Sequence, residues 1–101
     1  MQSPICQRLW LMHPALGAGW RDYLVLRIGP KWVRVIEIGT MTSATVARKD
    51  YDSAARYQQP AFYQPARLAR RLRRNAKTFG SNAEIKLAID TLASSPKELP
   101  L

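Results

Sequence analysis

A single cysteine, a single histidine and the lack of any apolar run approaching 18 residues remove several classes of protein at once. One cysteine forms no internal disulfide, so Cys6 gives no reason to place the chain in an oxidising compartment, and a cytoplasmic location is the expectation. Without a long apolar run no transmembrane segment is expected. The early stretch LWLMHPALGAG has the apolar look of a leader core. No Lys- or Arg-rich start precedes it, and His13 and Pro14 interrupt it, so no cleaved leader is expected. A structural zinc site takes about four ligands and a catalytic one about three. Cys6 and His13 have no further Cys or His to join them, which leaves a buried structural cysteine, a loop histidine, no metal and no other cofactor.

Acids are scarce as well. Seven Asp and Glu face sixteen Lys and Arg, for a net charge of +9. Only Asp50 and Asp52 lie close together, and His13 has no carboxylate beside it in sequence. General acid and base work needs converging titratable groups, so a non-enzymatic role is expected. The charge is uneven: residues 1–47 hold five bases and two acids, residues 48–80 nine and two, and residues 81–101 two and three. The middle third carries the field, which favours phosphate, an acidic protein patch or an anionic membrane surface as partner.

That field centres on Pro65 to Gly80, PARLARRLRRNAKTFG, with five arginines, one lysine and no acid. At about 100° per residue, Leu68, Leu72, Ala76 and Phe79 fall on one side of a helix and Arg67, Arg70, Arg71, Arg73, Arg74 and Lys77 on the other. Pro65 suits the first helical turn and Gly80 the residue after the last, so a basic helix is predicted over 65–79. Like charges four apart, such as Arg70 and Arg74, cost a few tenths of a kcal/mol each. A solvated face alone would intersperse acids, whereas a one-sided run suits a polyanion.

With 47% hydrophobic residues the chain can bury a modest core as one domain over 1–101. Residues 1–20 are the least readable part; ICQRLWLM over 5–12 suits an edge strand ended by Pro14 and loosened by Gly17 and Gly19. Residues 21–50 read as an antiparallel meander with strands near 23–28, 32–38 and 42–47, punctuated by Gly29-Pro30 and Gly39-Thr40. In the middle strand Val33 and Val35 share one face, and Trp32, Arg34, Ile36 and Ile38 the other, so each face needs a cover. The third is polar and β-branched, as suits an edge, and leads to Asp50, Asp52 or Ser53 as cap of a short helical turn over 54–57.

The second half, 53–93, is helical. QQPAFYQ over 58–64 is a loop whose aromatics either plug the core and staple the next helix or stand exposed. Ser81-Asn82-Ala83-Glu84 has the form of a capping box, followed by Ile85, Ala88, Ile89 and Leu92 at helical spacing and Lys86 four before Asp90. A second helix is predicted over 82–93, and residues 94–101 form a flexible tail. A helix-turn-helix reader is disfavoured, because the second helix has Lys86 as its only base and an apolar stripe that needs burial.

The expected fold is therefore α+β: a small antiparallel meander of three to four strands, an SH3-like barrel or an open sheet, packed with a C-terminal helical hairpin. The turn-linked strands ending in RKDYD resemble the small-barrel, SH3-like plan, including its KOW-type members, over roughly residues 21–52. The resemblance implies a plan that serves peptide binding as readily as nucleic acid, and it does not fix function.

Two functions follow as expectations. One is non-catalytic binding of nucleic acid, DNA or RNA, or association with a nucleoprotein. Arg67, Arg70, Arg71, Arg73, Arg74 and Lys77 would contact phosphates, Arg48, Lys49 and Arg56 would extend the patch, and Tyr57, Phe62 and Tyr63 would stack on bases. The alternative is a small protein-interaction module, an adaptor or inhibitor docking on an acidic partner surface, similar in style to phage or mobile-element accessory proteins. Attachment to anionic lipid is disfavoured by the thin apolar face of the basic helix.

Overall fold

A computed structural model describes residues 5–58 and 64–94. Four strands come first: β1 (Ile5–His13), β2 (Gly17–Ile28), β3 (Trp32–Glu37) and β4 (Thr42–Ala47). They form one antiparallel sheet in the order β1-β2-β3-β4, a meander. Three helices follow, α1 (Arg48–Arg56), α2 (Pro65–Phe79) and α3 (Ala83–Ala93). The fold is α+β, as the sequence predicts.

The side-chain alternation of β3 decides the layering. Val33 and Val35 point into a cluster with Leu9, Leu11, Tyr23, Val46 and Tyr51, and α1 covers it. Ile36 and Ile38 point the other way, into a cluster with Leu24, Leu68, Leu72, Ile85 and Ile89, covered by α2 and α3. Each buried Leu or Ile contributes ~1.5–3 kcal/mol by leaving water. A barrel has one interior, whereas this sheet buries apolar residues on both faces, and it stays open with β1 and β4 as its edges. Of the two architectures expected, the open sheet is the one formed.

The strand expected near 23–28 is longer than its sequence suggests, for β2 starts at Gly17. Gly17 and Gly19 do not end the strand signal; they open β2, whose hairpin with β1 pairs His13 with Gly17 and Ile5 with Val25. Pro14 sits in a turn closed by the Leu16 N–H donating to His13 O at 3.1 Å, and Gly17 takes φ 78°, where a side chain would be strained. The hairpin also curls. Two strands separate β1 from β4, about 14 Å in a flat sheet, yet a His13 ring nitrogen lies 3.1 Å from Thr45 O. The Ala15 N–H donates to His13 Nδ1 at 3.0 Å, so the proton sits on Nε2, which donates to that carbonyl.

Two helix starts differ from expectation. Helix α1 begins at Arg48, well before Ala54, and no Asp or Ser side chain caps it: Ala47 holds the N-cap position, and the Arg48 N–H donates to Lys31 O at 2.8 Å. In α3 the cap is Asn82, whose side chain accepts from the Ile85 N–H at 2.9 Å, and not Ser81. Shifting the cap by one residue frees Glu84 from the capping box. Its carboxylate instead meets Arg34 of β3.

Glu37 ends β3 as the one buried charged residue among the described residues, 5% exposed, and folds the β3–β4 turn around itself. It accepts from the Gly39 N–H at 2.9 Å, the Thr40 N–H at 2.8 Å and the Thr40 hydroxyl. These donors compensate the desolvation of the carboxylate.

Candidate nucleic-acid interface

Helix α2 runs over the predicted residues, from Pro65 to Phe79, with Gly80 after it at φ 88°. Leu68, Ala69 and Leu72 are buried against the sheet and α3, and Ala76 packs at the margin of the cluster. The stripe is turned slightly from the expected one. Asn75 Nδ2 donates to Ile38 O at 2.7 Å, satisfying a carbonyl at the end of β3, while Phe79 is 56% exposed and no part of the core.

The opposite arc carries the charge. Arg67, Arg70, Arg73, Arg74 and Lys77 are exposed, and none has a carboxylate partner among the described residues. Arg71 is half-buried and close enough to Cys6 to favour its thiolate electrostatically. Burial outweighs it: desolvation, with a lesser push from Asp22, drives the Cys6 thiol from its ordinary 9.0 up to about 12. Cys6 packs beside the α2–α3 core as a protonated, inert side chain.

Beyond the arc, α2 and α3 enclose a groove of about 440 Å³ lined by Arg73, Lys77, Ser81, Lys86 and Asp90. Lys86 and Asp90, expected as a helical pair, both face this groove. It adds a third cation from a second helix to the two on α2.

The other expected contributors are scattered. Arg48 has its guanidinium engaged: Nε donates to Asp52 Oδ1 at 2.9 Å and Nη1 to Gly29 O at 2.8 Å. Lys49 and Arg56 are exposed, but they sit on α1, which covers the sheet face opposite to α2. Arg34 is committed to Glu84 and, through Nη1, to the Thr45 hydroxyl at 3.0 Å. Tyr57 is exposed at the end of α1, and Phe62 and Tyr63 lie outside the described residues. Sequence spacing alone does not reveal that α1 and α2 use opposite faces.

One surface goes unmarked by sequence. Trp10, in the strand expected over 5–12, and Trp20, ahead of the strand expected near 23–28, face each other across the β1–β2 ladder. A hairpin register could have found them, had Gly17 and Gly19 been read as strand residues.

Among the described residues, no group of three or more His, Cys, Asp or Glu side chains comes together as a metal site would require. Nor is any described helix long and apolar enough to cross a membrane. Compared with protein-family models, curated proteins and solved structures, the chain matches none of them.

Proposed function

We propose that the protein is a non-catalytic nucleic-acid-binding domain that holds phosphates on the outer arc of α2. The observation that carries this reading is the row of cations with no carboxylate partner among the described residues, Arg67, Arg70, Arg73, Arg74 and Lys77, on a helix anchored by its other side. Anchoring matters because arginines on a docked helix are already held in place, so binding orders less of the chain. Guanidinium forks match phosphate oxygens bidentately. The groove beside Arg73, Lys77 and Lys86 extends the positive surface around the end of α2.

Fluorescence anisotropy with labelled single-stranded DNA, single-stranded RNA and duplex DNA over a salt series tests the reading. Binding should weaken linearly in log–log form as salt rises. A folded Arg67→Glu, Arg70→Glu, Arg74→Glu variant should lose most of the affinity and much of the salt slope. Absence of wild-type binding to all three polymers at low salt would sink the phosphate reading and leave an acidic protein surface as the target to seek.

A further inference from the structure

The chain has three tryptophans and leaves them all substantially exposed, Trp10 at 47%, Trp20 at 41% and Trp32 at 59%. Trp10 and Trp20 are direct partners in the β1–β2 register. Directly opposed residues in an antiparallel ladder have Cβ atoms about 5 Å apart on one face of the sheet, so the two indoles rise side by side.

The position of the pair relative to α2 follows from the alternation of β1. Leu9 and Leu11 point into the α1-covered cluster, and Cys6 packs against the α2–α3 cluster. Arg8, Trp10 and Met12 therefore share the face of Cys6, and all three are exposed. Cys6 marks where α2 lies, since it packs against the cluster that holds Leu68 and Leu72. Steps of two residues advance about 7 Å along a strand, which puts Arg8 one step and Trp10 two steps, about 13 Å, from Cys6. Along this strip of the face Cys6, beside Arg71 of α2, is followed by Arg8, which faces Asp22 across the ladder, and then by the tryptophan pair. Trp10, Met12 and Trp20 also border a pocket of about 510 Å³ with Leu11, which points to the other face, and with Asp50, Ser53 and Tyr57 of the α1 end, so the pair lies at the hairpin end where the two faces of the sheet meet.

We propose that this strip binds single-stranded nucleic acid, phosphates on the α2 arc and Arg8 and unpaired bases stacked on Trp10 and Trp20. The proposal rests on the phosphate-binding reading of α2 and adds to it the form of the ligand. An occupant must be anionic along one side and offer flat apolar faces at short intervals. An unpaired strand has both, whereas a duplex keeps its base faces stacked inside and offers phosphate alone. Asp50 and Ser53 in the adjoining pocket can accept hydrogen bonds from the N–H groups of an unpaired base edge, the thymine N3–H among them.

The test uses the full chain with an oligothymidine of about 12 nucleotides and with a duplex of the same length. The wild type should bind the single strand about tenfold or more tightly than the duplex, with quenching of tryptophan fluorescence. Trp10→Ala and Trp20→Ala should each weaken single-strand binding about 5- to 150-fold, leaving the salt slope and duplex binding unchanged. Trp10→Phe, which keeps a stacking face, should recover part of the loss, and Trp32→Ala should lose nothing. If single strand and duplex bind alike and the folded Trp10 and Trp20 variants match the wild type, the stacking strip is overturned while the α2 surface stands. If the wild type binds neither polymer, both fall.

Discussion

Arg34 on β3 clasps Glu84 on α3 with a forked contact, Nε lying 3.1 and 2.9 Å from the two carboxylate oxygens and Nη2 3.0 Å from Oε1. The side chains are each 34% exposed, at the border between core and solvent. The hydrogen bonds to Glu84 raise the Arg34 pKa further above its ordinary value, so the guanidinium stays charged at any pH at which the protein folds. The pair fixes where α3 starts relative to the sheet. Glu84→Gln should cost about 1 kcal/mol in a urea melt, and Arg34→Lys a comparable amount because an ammonium has no fork. A double-mutant cycle showing no coupling between the positions would remove the pair from the account of stability.

The β3–β4 turn depends on Glu37 in a different way, since one carboxylate replaces several backbone partners. Glu37→Ala should destabilise the protein by about 2 kcal/mol and speed amide exchange at Gly39 and Thr40. Gly39→Ala should disturb the same turn, because a Cβ there would lie 2.9 Å from Glu37 Oε1. Unchanged exchange at both amides in the Glu37 variant would contradict this role.

Two positions on α2 separate core from surface. Leu72 is 1% exposed, and Leu72→Ala should cost about 2–5 kcal/mol through lost burial and the cavity left behind. Phe79, though apolar and at helical spacing from Leu72, is largely exposed. Phe79→Ser should stay within about 0.5 kcal/mol of wild type in the same melt. A large loss at Phe79 would mean that it covers apolar surface after all.

Cys6 gives a pH prediction. Its folded pKa lies above the ordinary value, near 12 against 9.0, so the folded state holds a proton that the unfolded chain releases. The contribution to stability is full below about pH 9 and is lost as pH rises towards about 12. Tyr23 and Tyr51, also raised chiefly by burial, act in the same direction from a higher starting value. Cys6→Ala should therefore flatten the decline in stability between about pH 9 and 12, followed by denaturant melts. The thiol should also resist iodoacetamide at pH 8 until the protein is unfolded, and rapid labelling of the native state would contradict the burial.

What the sequence made legible was local. The period-two alternation of Val33, Val35, Ile36 and Ile38 announced a sheet with two buried faces, and Pro65 and Gly80 bounded α2. What stayed hidden depended on partners far along the chain. The start of α1 is satisfied by Lys31 O across the sheet, and Glu84 leaves its local cap for Arg34, 50 residues away. Of the candidate site, the α2 arc was readable because helical periodicity and charge reside in the same short segment. The engagement of Arg48 and the pairing of Trp10 with Trp20 required the strand register and the order of layers.

The order of layers has a consequence for how the chain is made. Among the described residues every strand precedes every helix, so a ribosome releases a sheet with two apolar faces before either cover has emerged. The hairpin of β1 and β2 can pair early, but Leu24 and Ile36 have no shelter until α2 and α3, several tens of residues later, leave the exit tunnel. During that interval the nascent chain exposes apolar surface of the kind that favours aggregation. Slow translation over residues 48–80 would lengthen its exposure.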